Sequence, residues 1–388
     1  MPAPESRIGE PDTMPSVKVR GFQAVTIAHP HLLVARQQLM AAITDGADNS
    51  LTFVLGPTGV GKTTLRVRIE KEIAANCMAE LQNDKGRLPV VSVEAVAPES
   101  GNFNWKEHFK RLLEEMREPL IEHKLDCKGK GRKISLPVDL ASRNSGAEYQ
   151  YAVEQALRYR RPAVVLIDEA QHLAKMSSGR RVLDQLDVIK SIANRSGTPH
   201  VLVGTYDLLA FRNLNGQLSR RSADVHFSRY RADRADEAAI FMNVLRSLAA
   251  QIPLPEPPDL AKEWEYLYER SIGCVGILKT WLVKTLSLVL REGRNKIELK
   301  DLESCALSVS QCEKMLSECI EGENRMNDSN DNRLRLRSRL GLPVHGVSSA
   351  KTGSATAVAS TRSDHRNRWP GRRRAIRDLV GTKAIHAG

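Results

Sequence analysis

The sequence predicts an α/β fold: a parallel sheet wrapped by helices, followed by a small helical lid and a basic, largely disordered tail. Three observations predict it. A glycine-rich segment, Gly56-Pro57-Thr58-Gly59-Val60-Gly61-Lys62-Thr63, joins a short apolar run to a run with helical period. About a hundred residues later a second apolar run ends in two carboxylates, Asp168 and Glu169. Short apolar runs alternate with amphipathic stretches up to the break Pro253-Leu254-Pro255-Glu256-Pro257-Pro258, and beyond it the pattern is helical only through Leu316. Strands separated by helices imply parallel pairing.

Residues 1–20 read as a flexible arm. Residues 21–50 hold a helix over Leu32 to Ile43 that leads into the first strand, Leu51-Thr52-Phe53-Val54-Leu55. The glycine-rich segment that follows fits every fixed position of the phosphate loop G-x-x-x-x-G-K-[ST]. After it, Leu65, Ile69 and Ile73 recur at four-residue spacing, as on one face of a helix. The chemistry needs this order. Glycines let the backbone fold into a nest of N–H groups at a helix N-terminus, where phosphate binds. Gly56 through Thr64 are the expected nucleotide contacts. Lys62 is placed for the β- and γ-phosphates, and the Thr63 hydroxyl for Mg²⁺. The helix before the first strand is then the segment expected to contact adenine.

Pro89 to Val96 is the next strand candidate, followed by a polar loop and an amphipathic helix from Trp105 to Glu122. A basic, glycine-containing insert carries Lys124, Lys128, Lys130, Arg132 and Lys133 and reads either as a solvated loop or as a DNA contact. A helix over Ala147–Tyr159 delivers the chain to Ala163-Val164-Val165-Leu166-Ile167-Asp168-Glu169-Ala170-Gln171-His172. A buried parallel strand ends there in two acids facing the ligand crevice. Asp168 is expected to support Mg²⁺, and Glu169 to polarise a water for attack on the γ-phosphate. The two motifs together indicate an ATPase using ATP and Mg²⁺. A helix over roughly Arg181–Asn194, a strand His200-Val201-Leu202-Val203-Gly204-Thr205 and a last strand from Ala223 to Tyr230 complete the core. The expected domains are an arm at 1–20, a core at 21–250, a lid at 251–322 and a tail at 323–388.

Composition bounds the rest. In 388 residues, 41% are apolar and 27% charged, as in a soluble globular protein. No apolar run reaches the roughly 18 residues of a membrane span, and the polar N-terminus lacks a signal-peptide core. No membrane partner is expected. Six cysteines without a C-x-x-C pair fit reduced thiols in a cytoplasmic, bacterial setting. Cys305, Cys312 and Cys319 recur every seven residues and read as small residues on the buried face of one helix. Of the net charge of +12, residues 332–388 hold +11, from thirteen Lys/Arg against Asp364 and Asp378. The first 331 residues keep 45 basic and 44 acidic side chains, a net +1. A basic tail rich in Ser, Thr, Gly and Ala suits phosphate backbones, an acidic partner face, or simple solubility.

With these residues in view, the chain resembles AAA+ ATPases, through the initiator-like branch that includes transposition helpers. Leu55 to Leu65, Ile167-Asp168-Glu169-Ala170-Gln171-His172 and Val203-Gly204-Thr205 are similar to the TniB/TnsC group, whose role is MuB-like, and the resemblance covers roughly residues 22–320. It implies an AAA+ P-loop core in which Thr205 reads the γ-phosphate as sensor 1. Arg220 or Arg221, in Gln217-Leu218-Ser219-Arg220-Arg221, would be an arginine finger for the neighbouring subunit, with both left open. Lys279, in Gly273-Cys274-Val275-Gly276-Ile277-Leu278-Lys279, stands at the sensor-2 turn, where an Arg is commoner.

The resemblance further implies head-to-tail homo-oligomers, a helical filament or ring, on double-stranded DNA. Such an assembly would recruit a DDE transposase, work with a target-selection protein and disassemble on hydrolysis. DNA contacts would go to phosphates, with Lys106, Lys110, Arg111, Lys128 and Lys130 as candidates. A replication-initiator or helicase-loader ATPase shares every one of these motifs and is the alternative.

Overall fold

Five short apolar runs pair into one parallel sheet in the computed structural model, which describes residues 14–44, 50–97, 103–121, 146–174, 179–212, 222–326 and 330–342. The strands are β1 (Leu51–Leu55), β2 (Val90–Glu94), β3 (Val164–Asp168), β4 (His200–Gly204) and β5 (Ser222–His226), in spatial order β2-β3-β4-β1-β5. Leu51 pairs with His200 on one side and Ser222 on the other, and Val90 pairs with Val164. This order sets the C-terminal end of β4 between those of β1 and β3. Phosphate loop, hydroxyl and carboxylates thereby meet along one edge.

Strand periodicity sends alternate side chains to two cores. Phe53, Leu55, Val93, Val165, Ile167 and Leu202 share one core, with α5 (Trp105–Glu115), α6 (Gly146–Arg160) and α8 (Gly179–Ser196). Val54, Val164, Leu166, Val201, Val203 and Val225 share the other. That second core holds α2 (Pro30–Thr44), through Leu32, Ala35 and Leu39, and α3 (Lys62–Asn76), through Leu65, Ile69 and Ile73. Short helices α4 (Met78–Asn83), α7 (Gln171–Ala174) and α9 (Leu209–Arg212) fill connections.

A third, purely helical cluster joins α10 (Ala235–Ala249), α11 (Trp264–Ser271), α12 (Val275–Arg291) and α13 (Leu299–Cys305), capped by Phe22 of α1 (Met14–Ala24). α14 (Val309–Met326) instead returns to the sheet and buries Cys312 and Cys319 in the second core. The chain divides into two compact units, Met1–Ser329 and Asn330–Gly388. In the second, the described element is α15 (Asn330–Arg339), which carries Arg333, Arg335, Arg337 and Arg339.

Several expectations change. Residues 14–20 are helical, because Phe22 anchors α1 under the lid. The helical cluster begins at Ala235, so the proline-rich break lies within it and does not border it. α10 packs there through Phe241, Val244, Leu245 and Leu248. The helix from Trp105 stops at Glu115, and Arg117 and Leu120 adopt positive φ beyond it. The cysteines spaced by seven occupy two helices: Cys305 ends α13, while Cys312 and Cys319 lie on α14. Residues 323–326 continue α14, and 330–339 are helical.

Among the described residues no single helix is long and apolar enough to cross a membrane. α11 and α12 pass that test only as a pair, bent by 110°.

Two features of the interior predict stability. Arg229, just after β5, pairs through Nε with Glu323 of α14 at 2.8 Å, and both are buried. Removing one partner strands the other charge. Glu323→Ala should therefore cost about 3 kcal/mol, read as a lower urea midpoint, with Arg229→Met/Glu323→Leu recovering part of the loss. An unchanged midpoint in Glu323→Ala would show that the pair does not hold α14.

Burial lowers His29, His108 and His200 from 6.5 to about 4, so all three are neutral in the native state. The unfolded chain binds protons there that the native state refuses. Stability is full above pH 6.5 and should decline as pH falls from 6.5 toward 4. Urea midpoints at about pH 7.5 and pH 5 test this sign, with the lower expected at pH 5.

Candidate nucleotide site

The phosphate loop leaves β1 at Gly56 and enters α3 at Lys62. Gly59 (φ 76°) and Gly61 (φ 115°) both lie in the left-handed region, which explains glycine at those two positions. An added Cβ on Gly56 would sit 2.3 Å from the Phe227 carbonyl oxygen, so β5 closes the loop's floor. Lys62 is buried, and its Nζ donates to the carbonyls of Gly56 (3.0 Å) and Pro57 (2.9 Å). Burial lowers its pKa, and the nearby charges of Glu169 and Asp168 oppose that.

Beside the loop, Thr63, Asp168 and Glu169 line one cleft of about 760 Å³. Asp168 is buried. Its Oδ1 accepts the Glu169 N–H at 2.9 Å, and its Oδ2 accepts Arg66 Nε at 3.0 Å. Arg66 also contacts Glu70 and donates to Ser92 Oγ at 2.6 Å. Glu169 itself has φ 51°, uncommon for a residue with a side chain. Gln171, buried, donates through Nε2 to Glu169 Oε2, while its Oε1 accepts the Thr205 N–H at 3.2 Å. Thr205 Oγ1 donates to Asp207 Oδ2 at 3.2 Å. Thr205 and Gln171 line a second cavity with Pro57 and Thr58, of about 320 Å³.

A third pocket, of about 280 Å³, opens on the other side of Gly61. Gln23, Thr26, Ile27 and His29 line it from the N-terminal segment, and Val275, Gly276 and Lys279 from the lid. It is largely apolar, flanks the loop and Thr64, and suits a base and ribose. The lid is held there by backbone. The Ile277 N–H donates to the Gly59 carbonyl at 3.1 Å, and an added Cβ on Gly276 would lie 2.4 Å from that same oxygen. His29 Nδ1 bonds the Tyr230 hydroxyl at 2.8 Å, and His31 stacks on the Tyr230 ring at 4.1 Å.

The residues present fit ATP and Mg²⁺. The glycine cradle closes if Cβ atoms are added, a buried lysine stands at its base, and a hydroxyl and a carboxylate share the adjoining cleft. Thr63 and Asp168 are the residues that would hold Mg²⁺, which would supply positive charge against the phosphates. Among the described residues no group of three or more His, Cys, Asp or Glu is placed to hold a metal.

The structure brings together residues 56–64, Asp168, Glu169 and Thr205. Lys279, expected to contact nucleotide, lines the pocket suited to a base and ribose. Its Nζ donates to the Gln23 carbonyl at 2.8 Å and sits 5.9 Å from the Phe22 ring centre, so it fastens α1 to the lid beside the base pocket. Arg220, Arg221, Lys128 and Lys130 lie outside the described residues. Lys106 stands over the Tyr149 ring at 5.8 Å. Arg111 pairs with Glu107 at 3.0 Å and faces the acidic cleft, which opposes a DNA contact there. Lys106, Lys110 and Arg111 all belong to α5.

Sequence reasoning missed Arg66, whose i, i+4 spacing to Glu70 was the visible signal. It also gave no role to Gln171 within its motif.

Residues 45–211 match the family model described as AAA domain. The chain carries an AAA-type ATPase domain. Its parallel sheet and helical C-terminal region are the AAA+ P-loop fold, and the enzyme is an ATPase. No curated protein matches the chain. Among solved structures it is similar to the Aeropyrum pernix ORC2 protein in its ADP form, at 16% identity and TM-score 0.49, covering 74% of this chain and 71% of that one. It is similar to the Aeropyrum pernix ORC1 protein in complex with DNA, at 16% and 0.48, covering 74% and 67%. Domain III of the Thermotoga maritima replication initiation protein DnaA matches at 15% and 0.39, covering 77% and 96%.

Lys62→Ala should abolish measurable ATP binding in a fluorescent-nucleotide titration, because no neighbouring cation occupies its buried position. Unchanged affinity would remove the phosphate loop from the site.

Proposed function

We propose that this ATPase is a nucleotide-controlled switch of the initiator type, acting on duplex DNA as an assembly of copies. The observation that carries the reading is the way the nucleotide site is tied to the rest of the chain. α14 packs its Gly322 on the ring of Tyr206, next to Thr205, where an added Cβ would lie 2.1 Å from ring carbons. The same helix, fixed by Arg229 and Glu323, is the last element before the segment that holds nearly all the net charge. A shift at Thr205 on γ-phosphate engagement would therefore press on α14. Binding DNA is what the matched ORC1 complex is described as doing; for this chain it is assigned to the ATP-bound assembly of the body, with the basic segment adding only salt-sensitive attraction.

In this reading Lys62 holds the β- and γ-phosphates, Thr63 and Asp168 hold Mg²⁺, and Glu169 takes a proton from the attacking water. Thr205 senses the γ-phosphate. Arg220 or Arg221 completes the neighbouring copy's site. DNA contacts go to phosphates and are salt-sensitive.

Regulation of DNA transposition is the second reading. It is favoured by the pairing of Asp168-Glu169-Ala170-Gln171-His172 with Gly204-Thr205, the two segments that carry the TniB/TnsC resemblance. Its partners would be a DDE transposase and a target-selection protein. Pull-down of a transposase by the ATP-bound form, against pull-down of a replicative helicase, separates the two.

Electron microscopy of the full chain with duplex DNA and ATP tests the shared claim. ATP-dependent assemblies on DNA are expected, and their absence would overturn it. Glu169→Gln keeps the side chain's shape and loses the base, so its assemblies should outlive those of the wild type at least tenfold in ATP. Equal lifetimes would mean that hydrolysis is not the release step.

Removing residues 332–388 should leave ATP-dependent DNA binding in gel shifts and weaken partner recruitment. The reverse result would make the basic segment the main DNA-binding element.

A further inference from the structure

We propose that Gln171 is a positioning residue for ATP hydrolysis: its one amide sets the Glu169 carboxylate and ties it to the end of β4. The proposal rests on Glu169 being the base. Both halves of the amide are used with matching polarity. Nε2 donates to Glu169 Oε2, and Oε1 accepts the Thr205 N–H at 3.2 Å. The side chain is buried, so water does not offer substitute partners at low cost.

The surroundings are shaped around this amide. An added Cβ on Gly204 would lie 2.4 Å from Gln171 Oε1. Gly204 shows no positive φ; its missing side chain makes room for the amide and for Leu208, whose Cδ1 would lie 2.9 Å from that Cβ. The Ala170 N–H donates to the Val203 carbonyl at 2.9 Å, a second tie between the ends of β3 and β4. Glu169 holds φ 51°, a conformation that persists where its surroundings fix it. The acids at the end of β3 and the Gly204-Thr205 end of β4 are thus one device. Thr205, at the γ-phosphate flank, and Glu169, at the water flank, are thereby held by one amide.

The Gln171 amide is taken up by Glu169 and Thr205. It lines the cavity beside Pro57 and Thr58 and acts through Glu169. Its loss should lower turnover and leave nucleotide binding in place. That split distinguishes it from a residue that merely fills the core.

Steady-state hydrolysis and fluorescent-ATP affinity of the full chain provide the test. Gln171→Ala should lower kcat at least tenfold, with KM and affinity within about twofold. Gln171→Glu keeps the shape and the acceptor for the Thr205 N–H but turns a carboxylate toward Glu169. It should lose as much or more, where a filler role would tolerate it. Should Gln171→Ala fail to fold, Gln171→Asn carries the test, since an amide one methylene shorter cannot span both partners. The proposal is overturned if Gln171→Glu and Gln171→Asn hydrolyse within about twofold of wild type while Glu169→Gln is inactive. Wild-type hydrolysis by Glu169→Gln would overturn the base assignment and the proposal with it, a distinct signature.

Discussion

The contact between the phosphate loop and the lid is the constraint on which the rest of the molecule depends. Gly59 and Gly276 meet with no room for a Cβ on either side, and the Ile277 N–H closes on the Gly59 carbonyl. Gly276 is required by the Gly59 carbonyl, and Gly59 by its positive φ and by the Ile277 side chain. Because α12 is fixed there at its first turn, the helical cluster behind it, with Leu278, Trp281 and Leu282, takes its place over the sheet edge. The base pocket is what remains between that lid and the N-terminal segment. A nucleotide in it would touch loop, lid and α1 together, so its binding energy acts directly on the lid's position.

Charge placement explains why so many ionisable groups are tolerated indoors. Lys62 is buried but faces two carboxylates and two carbonyls. Asp168 is buried but accepts from Arg66 and from a backbone N–H. Burial opposes each charge and its neighbours answer. Arg229 and Glu323 repeat the arrangement away from the site, with Tyr268 near the guanidinium. Such pairs add little net stability beside an apolar substitute, but they fix which helix goes where. α14 is the helix they place; its Gly322 packs on Tyr206 and its Cys319 lines the cavity beside Pro57 and Thr58.

A switch needs a chemical event and an element that reports it. The event belongs to the ends of β1, β3 and β4. The reporters are the two helices that touch those ends, α12 at Gly59 and α14 at Tyr206. One leads into the lid and the other toward the basic segment. Under the proposed function, hydrolysis read by both would alter how copies meet and how the chain meets DNA.

The core strands, the phosphate loop and the paired acids were legible in the sequence, because each is dictated locally. A buried parallel strand must be apolar, left-handed turns favour glycine, and a phosphate cradle needs a lysine at its base. The near-neutral body and basic end were legible by counting. What the tertiary structure decided involves residues far apart in the chain. The neighbours of β4 are set by crossovers, so nothing local says that Gln171 reaches Thr205 or that Arg66 reaches Asp168. α10 joined the lid because its apolar face fits Trp281 and Leu282, while composition changes only at the prolines after residue 252. Lys279 was read by position in a motif, and nothing local says that its long side chain reaches the Gln23 carbonyl at the end of α1. Local sequence specifies backbone shape and the identity of reactive groups; which groups share a cleft depends on packing, and packing is a property of the whole chain.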